Sequence, residues 1–578
     1  MKKVLNYYLR PYYLRMAGGF VIKFVGTIMD LCLPWILAYM IDTVIPRQDR
    51  TQIYLWGIAM LVCSVLALTF NVMANRMASK VARDTTEQIR HDLFAKVMYL
   101  SNSQTDKFTQ PSLISRLTTD TYNVHQMLGR IQRLGVRAPI LVIGGILVTL
   151  TLDPVLTLVL LSVMPAIIWV TYRTSRQSIP MYTSLQESID HFVRLIREDT
   201  AGIRVIKALS KTQYEKQRYD TLNQEVVMKE KKAGITMAVV NPAMNLLLNL
   251  GLVLVVLAGA WRVNQATCEV GTILAFLTYF TIILNAMMNI SKMFVIISKA
   301  VASADRIMEV VDAPDDMEEK VCNRLEHRDE YIVFDHVTFS YEGREPDLED
   351  ITFSLKKGET LGILGVTGAG KSTLAQLLLR FYDPVQGAIY IEGEDIRAIP
   401  YEELRKKFGI VFQNDTLFET SIEENIRMGR ELNEQQIIDA MTYACARKFV
   451  EEKAAKGEKL VNVRGANLSG GQKQRILIAR ALAAHPDILI LDDSSSALDY
   501  RTDASLRKEL GEHFKDTTTI MIAQRISSIR HADHIMVLEQ GRIIGYGTHE
   551  ELMRSCELYQ EIGRTQLGNG GEMNGSRE

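Results

Sequence analysis

The chain has 578 residues and a formal net charge of −1 at pH 7. This balance excludes the strongly basic surface typical of nucleic-acid-binding proteins, so no nucleic-acid partner is expected. The six cysteines are scattered without a C-x-x-C pair, which indicates neither a metal site nor a disulfide framework. Apolar runs fill roughly the first half, whereas the second half has the composition of a soluble α/β domain.

The first half predicts a membrane domain. Residues 1–15 are basic and lack the short apolar core and cleavage site of a signal peptide, so they are expected to stay in the cytoplasm. Six apolar runs follow, each near the length of about 20 residues that crosses a bilayer: Met16–Ile45, Ile53–Met73, Leu134–Leu152, Val155–Tyr172, Met237–Val263 and Thr272–Val301. The alternative is a set of buried helices in a large soluble protein.

The segments 74–133 and 173–236 are long, basic and helical in composition, which favours a cytoplasmic location. We therefore predict a six-span domain at 16–310, lying in the lipid bilayer of the plasma membrane. A linker at 311–330 and an α/β domain at 331–565 follow. The tail at 566–578 is polar and glycine-rich, and is expected to be disordered.

The α/β domain contains a phosphate-binding motif. Thr360–Leu364 is a short apolar strand, and the residues after it read GVTGAGKST, which satisfies G-x-x-x-x-G-K-[ST] between a strand and a helix. Its backbone N–H groups are expected to cradle the phosphates of ATP. Lys371 is expected to reach the β- and γ-phosphates, and Ser372 to bind Mg²⁺. The predicted nucleotide-binding residues of this loop are Gly365, Thr367, Gly368, Ala369, Gly370, Lys371, Ser372 and Thr373.

Two further motifs lie downstream. The sequence DILILD predicts a buried strand that ends in Asp492, the expected carboxylate partner of Mg²⁺. Before it, LSGGQ opens a helix whose N-terminus would form a second anion site, made by Ser469, Gly470, Gly471 and Gln472. One nucleotide does not need two such sites. The second is therefore expected to face another nucleotide across a dimer interface.

The P-loop, LSGGQ and LDDSSSALD, in this order and after six spans, resemble the ABC transporter superfamily, and among them the exporter half-transporters. The resemblance implies an all-α six-helix transmembrane domain, domain-swapped with a partner, fused to an α/β P-loop ATPase domain in the cytoplasm. It also implies that Tyr341 stacks on adenine, that Gln413 senses the γ-phosphate and Mg²⁺, and that Asp499 touches the opposite site. The stretches 111–116 and 202–207 resemble the coupling helices that dock on ATPase domains.

Two residues depart from the family pattern. Asp493 stands where the family usually has a glutamate that polarises the attacking water, and its carboxylate is set back by about 1–1.5 Å, a misplacement that can cost roughly 100-fold in rate. Gln524 stands where the family has a histidine, and an amide cannot carry its charge or shuttle a proton. The pattern resembles the degenerate-site subunit of a heterodimeric bacterial multidrug exporter. A homodimer in which both residues are tolerated is the alternative.

The substrate is predicted from polar residues in the spans. Asp30 lies near the middle of the first span, where a charge is costly and often functional, and a carboxylate facing the cavity would suit a cationic drug. It could instead pair with Lys23 or with a neighbouring helix. Asn285, Met288 and Asn289 of the sixth span are further candidates.

The predicted function is therefore ATP-driven export of small amphiphilic, drug-like compounds, with a second half-transporter as partner. A lipid or peptide exporter or flippase is one alternative. A nucleotide-gated regulator without transport is another, although the six spans and the complete LSGGQ disfavour it. A soluble ATPase of DNA repair or translation shares the motifs but would not carry the spans.

Overall fold

The computed structural model describes residues 6–315, 317, 330–341, 343, 345–494 and 496–567. The chain divides into two compact units, of which the first comprises Met1–Tyr99 and Gln110–Ala313 and the second Leu100–Thr109 and Pro314–Glu578. The predicted tail from residue 568 onward and most of the predicted linker lie outside the described residues. We call the first unit the membrane unit and the second the ATPase unit.

The membrane unit is helical. In chain order, the helices up to residue 313 are α1 (Tyr13–Tyr39), α2 (Arg50–Tyr99), α3 (Asn102–Phe108), α4 (Gln110–Ser115), α5 (Thr121–Arg130), α6 (Val136–Leu152), α7 (Pro154–Ala201), α8 (Ile203–Ala208), α9 (Thr212–Ala238), α10 (Val240–Asn264) and α11 (Val270–Val311). Of these, α3 belongs to the ATPase unit. A short π-helical turn at Met40–Val44 extends α1, and those at Arg116–Asp120 and Ile131–Gly135 join neighbouring helices into one longer rod.

Six helical stretches among the described residues are long and apolar enough to cross a membrane. They are Arg10–Val44, Arg50–Tyr99, Gln110–Leu152, Pro154–Thr174, Thr212–Asn264 and Val270–Ile290. Each contains or overlaps one predicted run, which confirms the six-span prediction. Helix α2 continues without a break to Tyr99, far past the predicted span end at Met73, as expected for a helix that extends beyond the bilayer.

The turn between the third and fourth spans shows how a short sequence ends one helix and starts the next. The carboxylate of Asp153 accepts hydrogen bonds from the backbone N–H groups of Val155 and Leu156, at 2.8 and 3.1 Å. Pro154 occupies the first helical position, where its missing N–H costs nothing. Arg262 of α10 donates from Nε to the same carboxylate at 2.9 Å, which ties the fifth span to this turn.

The ATPase unit contains two sheets. Its strands are β1 (Ile332–Phe339), β2 (Leu348–Leu355), β3 (Thr360–Gly365), β4 (Gln386–Ile391), β5 (Glu394–Asp395), β6 (Phe408–Val411), β7 (Ile488–Asp492), β8 (Thr518–Ile522), β9 (His534–Glu539) and β10 (Arg542–Gly547). The smaller sheet is antiparallel in the order β2-β1-β4-β5. The larger has the order β10-β9-β3-β8-β7-β6, and β10 is its one antiparallel strand.

The helices of this unit after the first sheet begins are α12 (Lys371–Leu378), α13 (Tyr401–Lys406), α14 (Ile422–Arg427), α15 (Glu434–Tyr443), α16 (Arg447–Ala455), α17 (Gly470–Leu482), α18 (Tyr500–His513), α19 (Ile526–Ile529), α20 (His549–Ser555) and α21 (Glu557–Leu567). All five residues of β7 are buried, as its apolar run predicts for a central parallel strand. The carboxyl ends of β3, β8, β7 and β6 meet at one edge of the large sheet, and this edge holds the candidate site.

Candidate functional site

A cavity of about 280 Å³ lies at that sheet edge. Its lining consists of Asp347, Thr367, Gly368, Gly370, Lys371, Ser372, Thr373, Gln413, Asp492, Asp493, Ile522, Ala523 and Gln524. The structure therefore brings together most of the residues predicted for ATP binding and hydrolysis. Gly365 and Ala369, also predicted, are buried behind the cavity wall, where they shape the loop.

Asp347 was not predicted. Its carboxylate accepts the backbone N–H of Tyr341 at 3.0 Å, and its carbonyl oxygen lies 3.0 Å from the position a Cβ on Gly370 would take. Asp347 is thus bonded to the backbone of Tyr341 and lies close to the phosphate loop. Asp347 directly precedes β2 and belongs to no recognisable motif, so the sequence did not indicate that it lines the nucleotide site.

The phosphate loop depends on two glycines with positive φ. Gly370 has φ +93°, and a Cβ there would lie 2.6 Å from Cδ2 of Leu348. Gly368 has φ +86° and nothing within 4 Å of a Cβ position, so its backbone faces open space. A loop of this kind presents backbone N–H groups to an anion at close range.

Lys371 begins α12 directly after this loop. Its Nζ donates to the carbonyl oxygens of Gly365 and Val366, both at 2.8 Å, so the ammonium curls back over the loop. Burial lowers the pKa of this ammonium, while the charges of Asp492 and Asp493 act in the opposite direction. The cavity therefore holds a movable cation beside two carboxylates.

Ser372 and Asp492 provide oxygen ligands of the kind that suits Mg²⁺. The hydroxyl of Ser372 donates to Oδ2 of Asp492 at 2.8 Å, and Asp492 is 6% exposed. Burial raises the pKa of Asp492, as does the nearby charge of Asp493, whereas the Ser372 hydrogen bond and Lys371 lower it. A hydroxyl and a single carboxylate match the donor set with which Mg²⁺ sites are completed by phosphate oxygens and water. The residues therefore fit the ion.

The two residues that depart from the family pattern contact each other. Nε2 of Gln524 donates to Oδ2 of Asp493 at 3.3 Å, so the amide that replaces the family's histidine is directed at the carboxylate that replaces its glutamate. Burial raises the pKa of Asp493, while Arg525, Lys371 and a hydrogen bond from Gln413 lower it. The sequence predicted both departures but not their contact, because they lie 31 positions apart.

Tyr341 lies beside the phosphate loop. Its hydroxyl donates to Oε1 of Gln376 at 2.7 Å and lies 3.1 Å from Oγ1 of Thr373. Its ring makes edge-to-face contacts with Phe339 and Tyr382, at centroid distances of 4.9 and 5.1 Å. The side chain is 43% exposed, so the ring keeps an accessible surface.

The LSGGQ segment is separate from this cavity. Ser469 caps α17 in a capping box, accepting the N–H of Gln472 at 3.3 Å while its own N–H donates to the Gln472 side chain at 3.0 Å. Among the residues that line the cavity, all within the described part of the chain, none comes from 468–472. Asp499 likewise lies outside the lining and caps α18, where its carboxylate accepts from both N and Oγ1 of Thr502.

One predicted coupling segment is shifted. The residues that group with the ATPase unit are Leu100–Thr109, not 111–116, which belong to the membrane unit. Within the ATPase unit, the hydroxyl of Tyr382 donates to Asp106 of α3 at 2.6 Å. The prediction was wrong by one short helix, because Ser101 caps α3 and Thr109, with φ 60°, ends it before the next helix starts. The prediction for 202–207 stays a prediction.

A second cavity, of about 400 Å³, lies in the membrane unit between α1, α6 and α11. It is lined by Asp30, Leu33, Pro34, Leu134, Arg137, Ala138, Leu141, Thr278, Ile282, Asn285, Ala286 and Asn289. Asp30 accepts hydrogen bonds from Arg137 at 2.9 Å and from Asn71 at 3.2 Å. This agrees with the alternative interpretation of Asp30, in which it pairs with a neighbouring helix. Lys23, the other partner considered, donates instead to Asn75.

Of the candidate residues in the sixth span, Asn285 and Asn289 line this cavity. Met288 does not. It packs against the cluster of Leu160, Met244 and Phe280, among others. Helix α11 thus presents its asparagines and this methionine to different neighbours, and the role of all three residues in substrate binding stays a prediction. Arg137, the partner of Asp30, was not among the predicted residues, although a charge inside a predicted span is the same kind of signal that Asp30 gave.

Comparison with known proteins identifies the class. Residues 16–287 match the model of the ABC transporter transmembrane region, and residues 348–496 match the ABC transporter model. An uncharacterized ABC transporter ATP-binding protein of Bacillus subtilis (strain 168) is 35% identical over 575 residues, covering 99% of each chain. A fatty acid ABC transporter ATP-binding/permease protein of Mycobacterium tuberculosis (strain CDC 1551 / Oshkosh) is 31% identical over 490 residues, covering 85% of this chain and 78% of that one.

A solved structure of a bacterial Atm1-family ABC exporter with ATP bound superimposes with a TM-score of 0.81. It is 25% identical, and the match covers 97% of this chain and 99% of that one. The chain belongs to the ABC transporter family and has the fold of its exporters, which confirms the predicted fold class. It is a multi-pass protein of the plasma membrane that binds ATP and couples ATP hydrolysis to transport.

Proposed function

We propose that this chain is the slow-hydrolysing half of an asymmetric, heterodimeric exporter of small amphiphilic compounds. The observation that carries the proposal is the contact between Gln524 and Asp493. In an ATP site built for hydrolysis, the residue after the Mg²⁺ aspartate positions water, and a second side chain contacts the γ-phosphate. Here both are replaced, and the replacements bond to each other.

The phosphate-binding side of the site supports retained nucleotide binding. Lys371 would leave the loop carbonyls for the β- and γ-phosphates, and Ser372 and Asp492 would hold Mg²⁺, which neutralises the phosphate charge when bound. Tyr341 would stack on adenine, and Gln413 would report the γ-phosphate to the rest of the unit. The remaining loop residues, Gly365, Thr367, Gly368, Ala369, Gly370 and Thr373, would supply the cradle.

The hydrolytic side supports slow turnover. The Asp493 side chain is one methylene shorter than the usual glutamate, so its carboxylate is set back from an attacking water. It also accepts a hydrogen bond from the neutral amide of Gln524. Gln524 can donate a hydrogen bond but cannot carry positive charge toward the γ-phosphate. ATP at this P-loop would therefore remain bound through many transport cycles.

The LSGGQ segment would act in the partner's site. Its capping box leaves Ser469 and Gly470 exposed at the N-terminus of α17, where backbone N–H groups favour an anion. Ser469, Gly470, Gly471, Gln472 and Asp499 would then complete a site on the partner's P-loop. Fast hydrolysis at that site would reset the transporter.

Site-resolved nucleotide analysis tests this proposal. The complex would be purified from its native membrane, allowed one round of hydrolysis with a photoreactive ATP analogue, cross-linked and separated into its chains. We expect the triphosphate on this chain and the diphosphate on its partner. Equal amounts of diphosphate on every chain would contradict the asymmetric assignment and favour two equivalent sites.

A lipid substrate is the second candidate, because one relative with 31% identity is named a fatty acid transporter. Export of a lipid-like amphiphile and export of a drug-like amphiphile use the same ATP cycle. Substrate-stimulated ATP turnover in liposomes separates them. Stimulation by fatty acids but not by cationic drugs would favour the lipid assignment, and the reverse result would exclude it.

A further inference from the structure

We infer that the cavity between α1, α6 and α11 binds the negatively charged headgroup of an amphiphile, with Arg137 as the recognising group. This inference rests on the proposed export function and names the class of its substrate. It replaces the cationic substrate that Asp30 alone suggests.

The negative charge of Asp30 is already paired with a cation of the protein. Its carboxylate accepts from the guanidinium of Arg137 at 2.9 Å and from the amide of Asn71 at 3.2 Å. A cationic ligand would have to displace the guanidinium and would then lie beside it. Like charges at this distance, away from water, repel strongly. The pair therefore disfavours a cation.

The surrounding charge is positive. Lys23 is 3% exposed, and its ammonium donates to Oδ1 of Asn75, which is a neutral acceptor. Arg133 and Arg137 both lie close enough to Lys23 to act on it electrostatically, as does Asp30. Among the residues that the structure describes, the electrostatic neighbourhood of Lys23 therefore contains two further basic side chains and one carboxylate. Excess charge of this kind is costly within a membrane domain, and a bound anion offsets it.

The guanidinium of Arg137 has more N–H donors than its contact with Asp30 uses. Its side chain is 40% exposed and lines the cavity, while one NH2 group donates to Asp30. Its Nε is buried and has no hydrogen-bond partner in the described structure. A guanidinium offers five N–H donors in a planar fork that matches the two oxygens of a carboxylate or sulfonate. The amide groups of Asn285 and Asn289 line the same cavity and can donate as well.

The remaining walls suit a hydrocarbon tail. They are formed by Leu33, Pro34, Leu134, Leu141 and Ile282, with the small residues Ala138 and Ala286 between them. A ligand that fits both parts has an anionic head and an apolar tail. Dissolved amphiphiles and anionic bilayer lipids share this chemistry.

The test is transport by the purified complex in inside-out proteoliposomes. The probes are dodecyl sulfonate and dodecyltrimethylammonium, which have the same tail and permanent, opposite charges. We expect ATP-dependent accumulation of the sulfonate and not of the ammonium compound. Arg137→Gln should raise the half-saturating sulfonate concentration at least roughly tenfold, the loss expected for a charge-assisted hydrogen bond. Asp30→Asn, which releases the guanidinium, should lower that concentration.

The matched control is the ion pair of Asp153 and Arg262, which joins two helices of the same unit at 2.9 Å and does not line the cavity. The double variant Asp153→Asn/Arg262→Gln should keep the preference for the sulfonate. A second arm adds phosphatidylglycerol to the vesicles. Competition with the sulfonate would assign the headgroup to a bilayer lipid, and absence of competition would assign it to the dissolved amphiphile.

Accumulation of the ammonium probe, lost in Asp30→Asn, would overturn the anionic assignment and leave export intact. Accumulation of an uncharged amphiphile with no response to Arg137→Gln would do the same. Failure of every amphiphile to accumulate with ATP would contradict the export function itself. The two failures are therefore distinguishable.

Discussion

The phosphate-binding side and the hydrolytic side of the ATP site lie next to each other on one sheet edge, yet they differ in chemistry. On the first side, Lys371 donates to the loop carbonyl of Gly365, Ser372 donates to Asp492, and two loop glycines have positive φ, an arrangement that we propose holds Mg-ATP. On the second side, Asp493 and Gln524 bond to each other at 3.3 Å. Binding and turnover can thus be separated within a single cavity.

The asymmetry that we propose would explain why the chain keeps so complete a nucleotide site. A site that binds ATP and hydrolyses it slowly can still hold two ATPase units together, since closure requires the nucleotide and not its cleavage. In the exporter that we propose, the complete LSGGQ would serve the P-loop of the partner. Variants on either side of the site test whether nucleotide binding and hydrolysis are separate in this way.

Replacing Ser469 by arginine should reduce ATP turnover by the complex on the order of 100-fold or more, comparable to the loss of a donor that stabilises transition-state charge. The bulky cation would block the site on the partner's P-loop while leaving this chain's own loop untouched. Turnover of the purified complex measures the effect. Ser469→Thr is the control, because it keeps the hydroxyl that caps α17. A modest loss of turnover, equal to that of Lys371→Ala, would contradict the proposal that hydrolysis occurs mainly at the partner's P-loop.

Restoring the family residues should accelerate hydrolysis at this chain's own P-loop. We expect the double variant Asp493→Glu/Gln524→His to raise the single-turnover rate there roughly 100-fold, because the carboxylate would move about 1 Å toward the water. Asp503→Glu is a matched control, since Asp503 pairs with Arg507 and does not line the cavity. An unchanged rate at this site would show that other residues limit its turnover.

Adenine recognition should depend on the ring of Tyr341 and much less on its hydroxyl. Tyr341→Ala should weaken ATP binding by roughly tenfold, the lower end for the loss of a base-stacking ring. Tyr341→Phe keeps the ring and loses only the bonds to Thr373 and Gln376, so its affinity should stay within about threefold of the parent. Titration with a fluorescent ATP analogue measures both. Equal losses would assign binding to the hydroxyl.

The hydrogen bond between Tyr382 and Asp106 should couple nucleotide state to α3. Tyr382 contacts the ring of Tyr341 at 5.1 Å and donates to Asp106 at 2.6 Å, so it links the adenine side to this helix. Tyr382→Phe should lower the amount of substrate moved per ATP by about twofold to fivefold, the lower end of the range for one hydrogen bond, because this bond is exposed to water. Asp106→Asn, which keeps an acceptor, should lose less. An unchanged ratio would exclude the link.

The smallest effect concerns pH. Burial raises the pKa of Asp492, so this carboxylate takes up a proton at a higher pH than an ordinary aspartate does as the solution is acidified. Because Mg²⁺ binds the ionised form, its affinity should fall with acidification and its binding should release protons. Calorimetry in two buffers of different ionisation enthalpy measures the release, and Asp492→Asn should reduce it. A proton release equal in the parent and the variant would contradict the assignment.

The ATP site was largely predictable because its motifs are local in sequence. The P-loop occupies nine consecutive residues, and the strand before Asp492 is recognised by its apolar run alone. Parallel strand order then carries their ends to one sheet edge. The contact between Asp493 and Gln524 was not predictable, since it depends on β7 and β8 being neighbours.

The membrane cavity was less predictable for the same reason. Asp30, Asn71 and Arg137 come from three different helices, and periodicity does not say which faces of those helices meet. The sequence therefore left open whether Asp30 contacts a ligand or a neighbouring helix, and the structure shows Asn71 and Arg137 as its partners. The position of α3 was missed because a seven-residue helix between two long ones leaves a weak signal in composition.

The most direct test of the asymmetric exporter is the subunit composition of the complex. The chain would be tagged, extracted gently from its native membrane and weighed intact by native mass spectrometry, and its components would then be identified. We expect this chain and a second, different half-transporter in one-to-one ratio. A complex of two copies of this chain with full Mg-ATPase activity would contradict it, and Asp493 would then have to act as a working base.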